Sequence, residues 1–347
     1  MEIQLSVCIP TYNFGAYIAE TLTSILSQAC PGIEVLVLDS ASTDDTPAIV
    51  SAFQAQYSCL RYQRDETRGG IDRDMARVVD LAKGRYCWLF SADDLMTEGA
   101  IARVLSQIDG QIDGQIDVYV CTHSNETIDM KPFNHRHPVL NLLHDAEFEL
   151  SNLEQQEQYF ALAVTTEAFF SFISGLIVKR STWMRVPVQE NFVGSCWAHV
   201  ARLFALIRGG LRVQYLYQTL VRRRGENDSF AANGVVKRYG LAINGFQRIA
   251  GHFWGSRSFQ AMHIRRVLRN EFPLSSMLRA KSICAAAPAR ESKQELDRMI
   301  RTLYSDSFTS NAQRIVYHCF PARLYEPVRK AYKLLRRRGD ISAANRT

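Results

Sequence analysis

The chain has 347 residues, 47% of them hydrophobic, enough to bury an ordinary core as one large domain or as one domain with an appendage. No run of about 18 apolar residues occurs, which argues against a spanning helix. The opening MEIQLSVCIP lacks the basic segment and long apolar run of a signal peptide. The eight cysteines form no C-x-x-C pair, and Cys8, Cys87 and Cys121 sit in apolar runs, so a reduced, cytoplasmic protein is expected.

The first 120 residues alternate strand and helix. Leu5–Pro10 reads as a short apolar strand, followed by a helix near Tyr17–Ser27 with Ile18, Leu22, Ile25 and Leu26 on one face. Glu34–Asp39 reads as a buried strand and Leu60–Arg64 as a shorter one. Ile71–Ala82 is helical, Tyr86–Phe90 is a fourth strand, and Leu95–Gln107 follows as a helix. Strands separated by single helices imply right-handed crossovers and a mainly parallel sheet. Ligands of such sheets bind beyond the carboxyl ends of the strands. That rim holds Thr11–Asn13, Asp39–Ser42 and Ser91–Asp94.

Residues 107–118 repeat the tetrad QIDG, which reads as a tolerated loop insertion. The polar stretch from His123 to Leu150 reads as a loop, and its histidines at 123, 135, 137 and 144 lack zinc spacing, so no metal role is expected there. Phe169–Lys179 and Leu216–Val221 read as further strands, and beyond about Ala231 the pattern is helical, aromatic and basic. From Pro321 onward eight cations oppose only Glu326 and Asp340. In Ile315–Arg338 they interleave with apolar and aromatic residues, which suits either an anionic membrane interface or a core-packed helix with a solvated face. No nucleic-acid motif accompanies the charge, so no nucleic-acid partner is expected.

The chemistry-bearing residues lie at the strand ends. Neither G-x-G-x-x-G nor G-x-x-x-x-G-K-[ST] is present, which argues against a dinucleotide oxidoreductase and a P-loop NTPase. Asp39 can accept from a base N–H or a ribose hydroxyl; the alternative is a helix cap. Asp93 and Asp94 after a buried strand would repel each other without a cation. A hard divalent ion shared with substrate phosphates satisfies such a pair, and a helix N-terminal acidic pair is the alternative.

The runs LSVCIPTYN, VLVLDSASTDDT and GRYCWLFSADD together resemble family 2 glycosyltransferases of the GT-A fold. The resemblance implies an α/β domain, a nucleoside-diphosphate sugar donor and a divalent cation, Mn2+ or Mg2+. Carried over by position, Pro10, Thr11, Tyr12, Asn13, Asp39 and Ser42 become nucleotide contacts, and Asp72 and Arg73 donor-side contacts. Asp93 becomes the principal metal contact, with Asp94 beside it. Ser91 replaces the first Asp of the family's D-x-D element; it can bond ribose or a metal-bound water but supplies no charge, which puts strong metal dependence in doubt.

FISGLIVK (172–179), FVGSCWAHV (192–200) and RGENDSF (224–230) resemble the abequosyltransferase-like branch, related to enzymes that build O-antigen units on a polyprenyl-diphosphate carrier. That implies a lipid-linked saccharide acceptor at the inner face of the cytoplasmic membrane. Ser195 and Cys196 stand where the family places its Glu-Asp base, so His199 is the expected proton acceptor, with Glu190 and Asp94 as the other candidates. Arg224 and Ser229 are expected on the donor diphosphate, with Asn227 or Asp228 in place of the family's frequent histidine. The expected architecture is a GT-A domain over residues 1–235 and a helical, basic extension over 236–347. The expected reaction is inverting sugar transfer. A nucleotidyltransferase would need a glycine-rich basic loop that PTYNFGAY is not, and a non-catalytic nucleotide-sugar-binding module is the other rival.

Overall fold

Aliphatic and β-branched runs form the central strands of the computed structural model, which describes residues 2–110, 115–228, 230–287 and 292–331. The chain divides into two units, Met1–Asp228 and Ser229–Thr347. The first begins β1 (Leu5–Thr11), α1 (Ile18–Leu26), β2 (Ile33–Asp39), α2 (Thr46–Gln54), β3 (Leu60–Arg64), α3 (Ile71–Leu81) and β4 (Tyr86–Leu89). It continues with β5 (Leu95–Met96), α4 (Ala100–Asp109), β6 (Val118–Glu126), β7 (Pro132–His137), β8 (Ala146–Glu149) and α5 (Leu153–Leu162). Then follow β9 (Leu176–Lys179), α6 (Arg180–Met184), α7 (Ala198–Ile207) and β10 (Arg212–Arg224).

The sheet runs β3-β2-β1-β4-β9-β6-β10-β5, with β7 beside β6 and β8 beside β10. β1 to β4 pair in parallel, as the alternation of strand and helix requires. β9 then enters antiparallel between β4 and β6, while β10 runs parallel to β6 and antiparallel to β5. This polarity decides where the chemistry gathers. The strands that leave the sheet at the rim (β1, β2, β4, β6 and β10) end where β5 and β9 begin. Residues just before β5 and β9 therefore join residues just after the others.

Leu5, Val7 and Ile9 of β1 pack with Val35 and Val37 of β2, Trp88 of β4 and the α1 stripe Ile18, Leu22 and Ile25. All are fully buried, at about 1.5–3 kcal/mol each for large aliphatic side chains.

The expectations differ from the fold in four places. The stretch from His123 to Leu150 is only partly loop, because β6 runs on to Glu126, β7 pairs beside β6 and β8 pairs beside β10. Phe169–Lys179 is a strand only from Leu176, since the turns Thr166–Phe169 and Ile173–Gly175 precede it. Leu95 and Met96 pair with β10 before α4 begins. The division at Asp228 falls just after β10 ends, earlier than the expected boundary at 235. The QIDG repeat falls partly on residues 111–114, outside the described residues.

The second unit is helical: α8 (Val235–Trp254), α9 (Phe259–Glu271), α10 (Leu274–Ala286), α11 (Lys293–Leu303) and α12 (Phe308–Cys319). Ser258, Ser292 and Ser307 cap α9, α11 and α12 by accepting from the N–H three residues on. Ile243, Phe246, Ile264, Leu268, Leu296 and Ile300 form its buried interior. Among the described residues no helix is long and apolar enough to cross a membrane.

Candidate active site

The first wall of the site joins the ends of β1 and β2. Asn13 and Ala41 take left-handed backbone angles, with φ of 59° and 62°. This turns the two loops toward each other: the Asn13 N–H donates to Ser42 Oγ at 2.9 Å, and the Thr43 N–H donates to Asn13 Oδ1 at 2.8 Å. Asp39 is fully buried. Its carboxylate accepts from the Ser42 N–H at 2.8 Å and the Tyr62 hydroxyl at 2.7 Å, with Arg64 Nε 3.6 Å away. Asp39 thus caps no helix; it closes the turn that follows β2. The Thr11 hydroxyl is buried without a hydrogen-bond partner, and Pro10 is paired within the sheet. Arg68 lies over the Tyr12 ring at 4.0 Å, a cation–π contact that ties the loop before α3 to this wall. Gly69 donates its N–H to Ser40 Oγ at 2.8 Å, and a Cβ there would collide with Asp74 Oδ1.

The second wall is the carboxylate pair between β4 and β5. Asp93 accepts from the Ser91 hydroxyl on one oxygen and from Asn227 Nδ2, at 2.7 Å, on the other. Asp94 accepts from the Arg224 N–H at 3.0 Å and the Ser174 hydroxyl at 2.6 Å. Burial, reinforced by the Asp93 charge, pushes the Asp94 carboxyl up to about 7. Ser174 also accepts from the Ser91 N–H at 2.9 Å, so this one buried hydroxyl locks both ends of the SADD loop. The role of Ser174 is not among the expectations from sequence; its one signal there is a polar residue just before a strand entering at the rim.

Arg224 is placed differently from the expectation of an open fork. Nε donates to the Asp93 carbonyl at 2.9 Å, NH1 to the Ile128 carbonyl at 2.5 Å and NH2 to Glu20 at 2.5 Å, while the guanidinium lies over Tyr17. All three nitrogens are thus engaged, and the side chain braces the acidic loop from β10. Gly225 follows because a Cβ there would strike the Glu126 carbonyl. Ser229 lies outside the described residues.

The third wall is the loop before α7. Asp72 is buried and accepts three N–H donors, from Gly194 at 2.8 Å, Cys196 at 3.0 Å and Ala198 at 3.0 Å. Expected on the donor side, it instead fastens the GSCWA loop to α3. Arg73 reaches the same region from outside, through a two-pronged ion pair with Glu190 at 2.9 and 3.3 Å. His199 is buried in α7, with Nε2 3.1 Å from the Phe170 carbonyl and Nδ1 unpartnered. It lines a small cavity with Asp72, Ala76, Trp183 and Arg202. Burial pulls its pKa down to about 4 against the opposing charge of Asp72, so the ring is neutral at pH 7. The structure therefore brings Thr11, Asn13, Asp39 and Ser42 together, and Ser91, Asp93, Asp94 and Arg224 together, all at the same edge of the sheet. His199 and Asp72 belong to the packing of α3 against α7.

The groups here that could ligate an ion, the two carboxylates and the Ser91 hydroxyl, offer oxygens, a set suited to Mg2+ or Mn2+ rather than to a softer ion. Ser91 sits within hydrogen-bond reach of Asp93 and adds a neutral oxygen to that set.

Residues 6–170 match the model of the family described as Glycosyl transferase family 2. Over 273 residues the chain is 29% identical to abequosyltransferase RfbV of Salmonella typhimurium, covering 78% of this chain and 81% of that protein. Glycosyltransferase GlyG of Streptococcus pneumoniae is 33% identical over 108 residues, 31% of this chain and 36% of its own. Among solved structures, residues 1–349 of S. aureus TarS in complex with UDP-GlcNAc superpose with a TM-score of 0.61 at 17% identity, covering 96% of this chain and 92% of that one. The mannosyltransferase PcManGT from Pyrobaculum calidifontis, in complex with GDP-Man and Mn2+, has a TM-score of 0.50 at 16% identity, covering 96% of this chain and 88% of that one. The architecture, the acidic rim and these likenesses converge: the chain is a glycosyltransferase carrying a family 2 domain on a GT-A fold.

Proposed function

We propose that this glycosyltransferase moves a sugar, a deoxyhexose such as abequose, from a nucleoside diphosphate to a hydroxyl of a lipid-linked O-antigen oligosaccharide, with inversion. The observation that carries the reading is the meeting of Asp39 and the Asp93–Asp94 pair at one sheet edge, each held by hydrogen bonds from neighbouring loops. On this reading Thr11, Tyr12, Asn13, Asp39 and Ser42 hold the nucleoside. Asp93, with Ser91 and Asp94 beside it, would hold a divalent cation, which when bound offsets charge growing on the diphosphate leaving group. Arg224 keeps the acidic loop in place rather than meeting phosphate. Of the three candidates for the acceptor proton, Asp94 lies at the rim, His199 lies within the α3–α7 packing and Glu190 is held in an ion pair by Arg73. Asp94 is therefore assigned the proton, and His199→Ala is expected to keep near-normal turnover.

The deoxyhexose and the lipid-linked acceptor are supported by the likeness to abequosyltransferase RfbV. Membrane association is supported within the second unit. Phe308 and Ile315, seven residues apart on one face of α12, are 88% and 62% exposed, and Leu324 and Val328 follow beside Arg323, Arg329 and Lys330. Apolar residues beside cations suit an anionic bilayer surface, so Phe308→Ser with Ile315→Ser should weaken sedimentation with anionic vesicles. The decisive test mixes candidate nucleotide sugars with lipid-linked acceptor and measures products. Nucleoside diphosphate release with a glycosylated lipid supports the proposal. Pyrophosphate release from a sugar phosphate and an NTP would replace it with a nucleotidyltransferase, and donor binding without turnover would leave a binding module.

A further inference from the structure

Away from the acidic rim loop, a second group of metal-type donors converges from three segments. His123 of β6 and His137 of β7 are directly opposed across the antiparallel pair, and Glu167 comes from the turn before Phe170. One ligand atom from each lies within 4.8 Å of the others. His137 Nε2 is 3.7 Å from Glu167 Oε1, and the two imidazoles lie 4.7 Å apart, centre to centre.

His123 is fully buried, yet neither of its ring nitrogens has a hydrogen-bond partner. Glu167 Oε2 is likewise buried and unpartnered. Polar atoms left buried without partners are costly, so their convergence asks for an occupant. A proton shared between the imidazoles would satisfy only part of the set. A cation would engage one nitrogen of each imidazole and a carboxylate oxygen together.

We propose that His123, His137 and Glu167 bind a divalent transition-metal ion of the zinc type, at a site separate from the Asp93–Asp94 pair. Two imidazoles and one carboxylate suit zinc, whereas Mg2+ and Ca2+ prefer oxygen-only sets. Bond lengths of about 2.0–2.2 Å put tetrahedral ligand atoms roughly 3.3–3.6 Å apart, so a spacing of 4.8 Å would close by roughly 1.2–1.5 Å on binding. Asn125 supplies the supporting contact, its side-chain amide 3.1 Å from His137 Nδ1. The group facing Nδ1 is the amide nitrogen; a flip of the amide would turn its oxygen toward Nδ1–H and leave Nε2 bare for the ion. Three protein ligands leave a fourth position for water.

The site ties the β6–β7 hairpin to the Thr166–Phe169 turn. The Phe172 ring lies 4.4 Å from that of His123, and two residues further on Ser174 holds Asp94. The ion is thus a staple for the segment that positions the acidic loop.

The experiment uses the full chain, stripped with chelator, in the Asp93→Asn background so that the rim site does not compete. Zn2+ is titrated with metal analysis and thermal unfolding, and Co2+ with visible absorption. One bound equivalent, a raised Tm and a tetrahedral Co2+ band are expected. His137→Ala and the isosteric Glu167→Gln should each weaken Zn2+ binding by at least about 10–100-fold, the loss that follows even from removing a supporting residue. Circular dichroism checks that both variants fold, and Glu167→Gln keeps the test sharp if His137→Ala does not. Absence of bound Zn2+ and of the band in the folded parent overturns the proposal. So does a band that survives either folded variant.

Discussion

Replacing Asp94 by asparagine tests the electrostatics of the acidic loop without changing its shape. The Asp94 carboxyl is pushed from 3.8 up to about 7, first by burial and then by the charge of Asp93. In the unfolded chain it ionises near its ordinary value, so as pH rises the unfolded state loses its proton first. Stability linked to this group is therefore fully present below about pH 4. It is lost between about pH 4 and 7, and the slope vanishes above. Three pH units at about 1.4 kcal/mol each set the size of that loss at up to about 4 kcal/mol. The substituted amide cannot ionise, and it can still accept from the Arg224 N–H and donate to Ser174 Oγ. The difference in unfolding free energy, Asp94→Asn minus parent, should therefore grow in the variant's favour from pH 4 to 7 and then level off. Urea unfolding across that range in EDTA measures it, and titrations common to both proteins cancel in the difference. A difference that stays flat with pH would refute the burial argument. Turnover should meanwhile fall by about 100-fold or more, the usual worth of a positioned proton acceptor.

Arg224→Ala should cost about 3 kcal/mol in urea unfolding, because the Asp93 and Ile128 carbonyls lose their donor, and should lower kcat more than it raises the donor KM. Asp72→Ala removes the acceptor of three N–H groups; a loss of about 3 kcal/mol with unchanged donor KM at low temperature is expected, whereas a raised donor KM would return it to the donor side. Ser91→Asp restores the third acid and should tighten Mn2+ binding by about tenfold or more in calorimetry, while lowering the metal-free Tm by like-charge repulsion with Asp93.

The parallel half of the sheet was legible because its signals are local. Apolar runs ending in Thr11, Asp39 and Ser91 are separated by helices with their own hydrophobic period, and the polarity of crossovers fixes which ends face the ligand. The antiparallel additions were not legible in the same way. β7 contains Asn134, His135 and Arg136 and looks like a loop, since its pairing with β6 stabilises it more than its composition does. The packing contacts of Asp72 and His199 are hidden in the sequence for a related reason. A carboxylate near a glycine pair reads equally as a ligand contact or as an acceptor for a distant loop, and only the fold shows that Gly194, Cys196 and Ala198 arrive at it. The histidine cluster shows the same limit, because His123 and His137 become neighbours through strand pairing and Glu167 through a turn, so no spacing rule could have joined them.

The bonds of Arg224 show that its charge is not directed at the acidic pair it braces. Its guanidinium donates to the carbonyl of Asp93, not to the carboxylate, and its charge is directed to Glu20. The carboxylates are instead held by neutral donors: the Ser91 and Ser174 hydroxyls, the Asn227 amide and a backbone N–H. Neutral donors fix position while leaving the formal charge in place. An ion pair between Arg224 and Asp93 would have made the loop more stable and removed its attraction for a cation. Adding a cation three residues along is therefore a direct perturbation. Asn227→Arg, which would set a cation against Asp93, should raise Tm and abolish Mn2+ binding together; a higher Tm with Mn2+ affinity intact would show that the charge of Asp93 is not what the loop preserves.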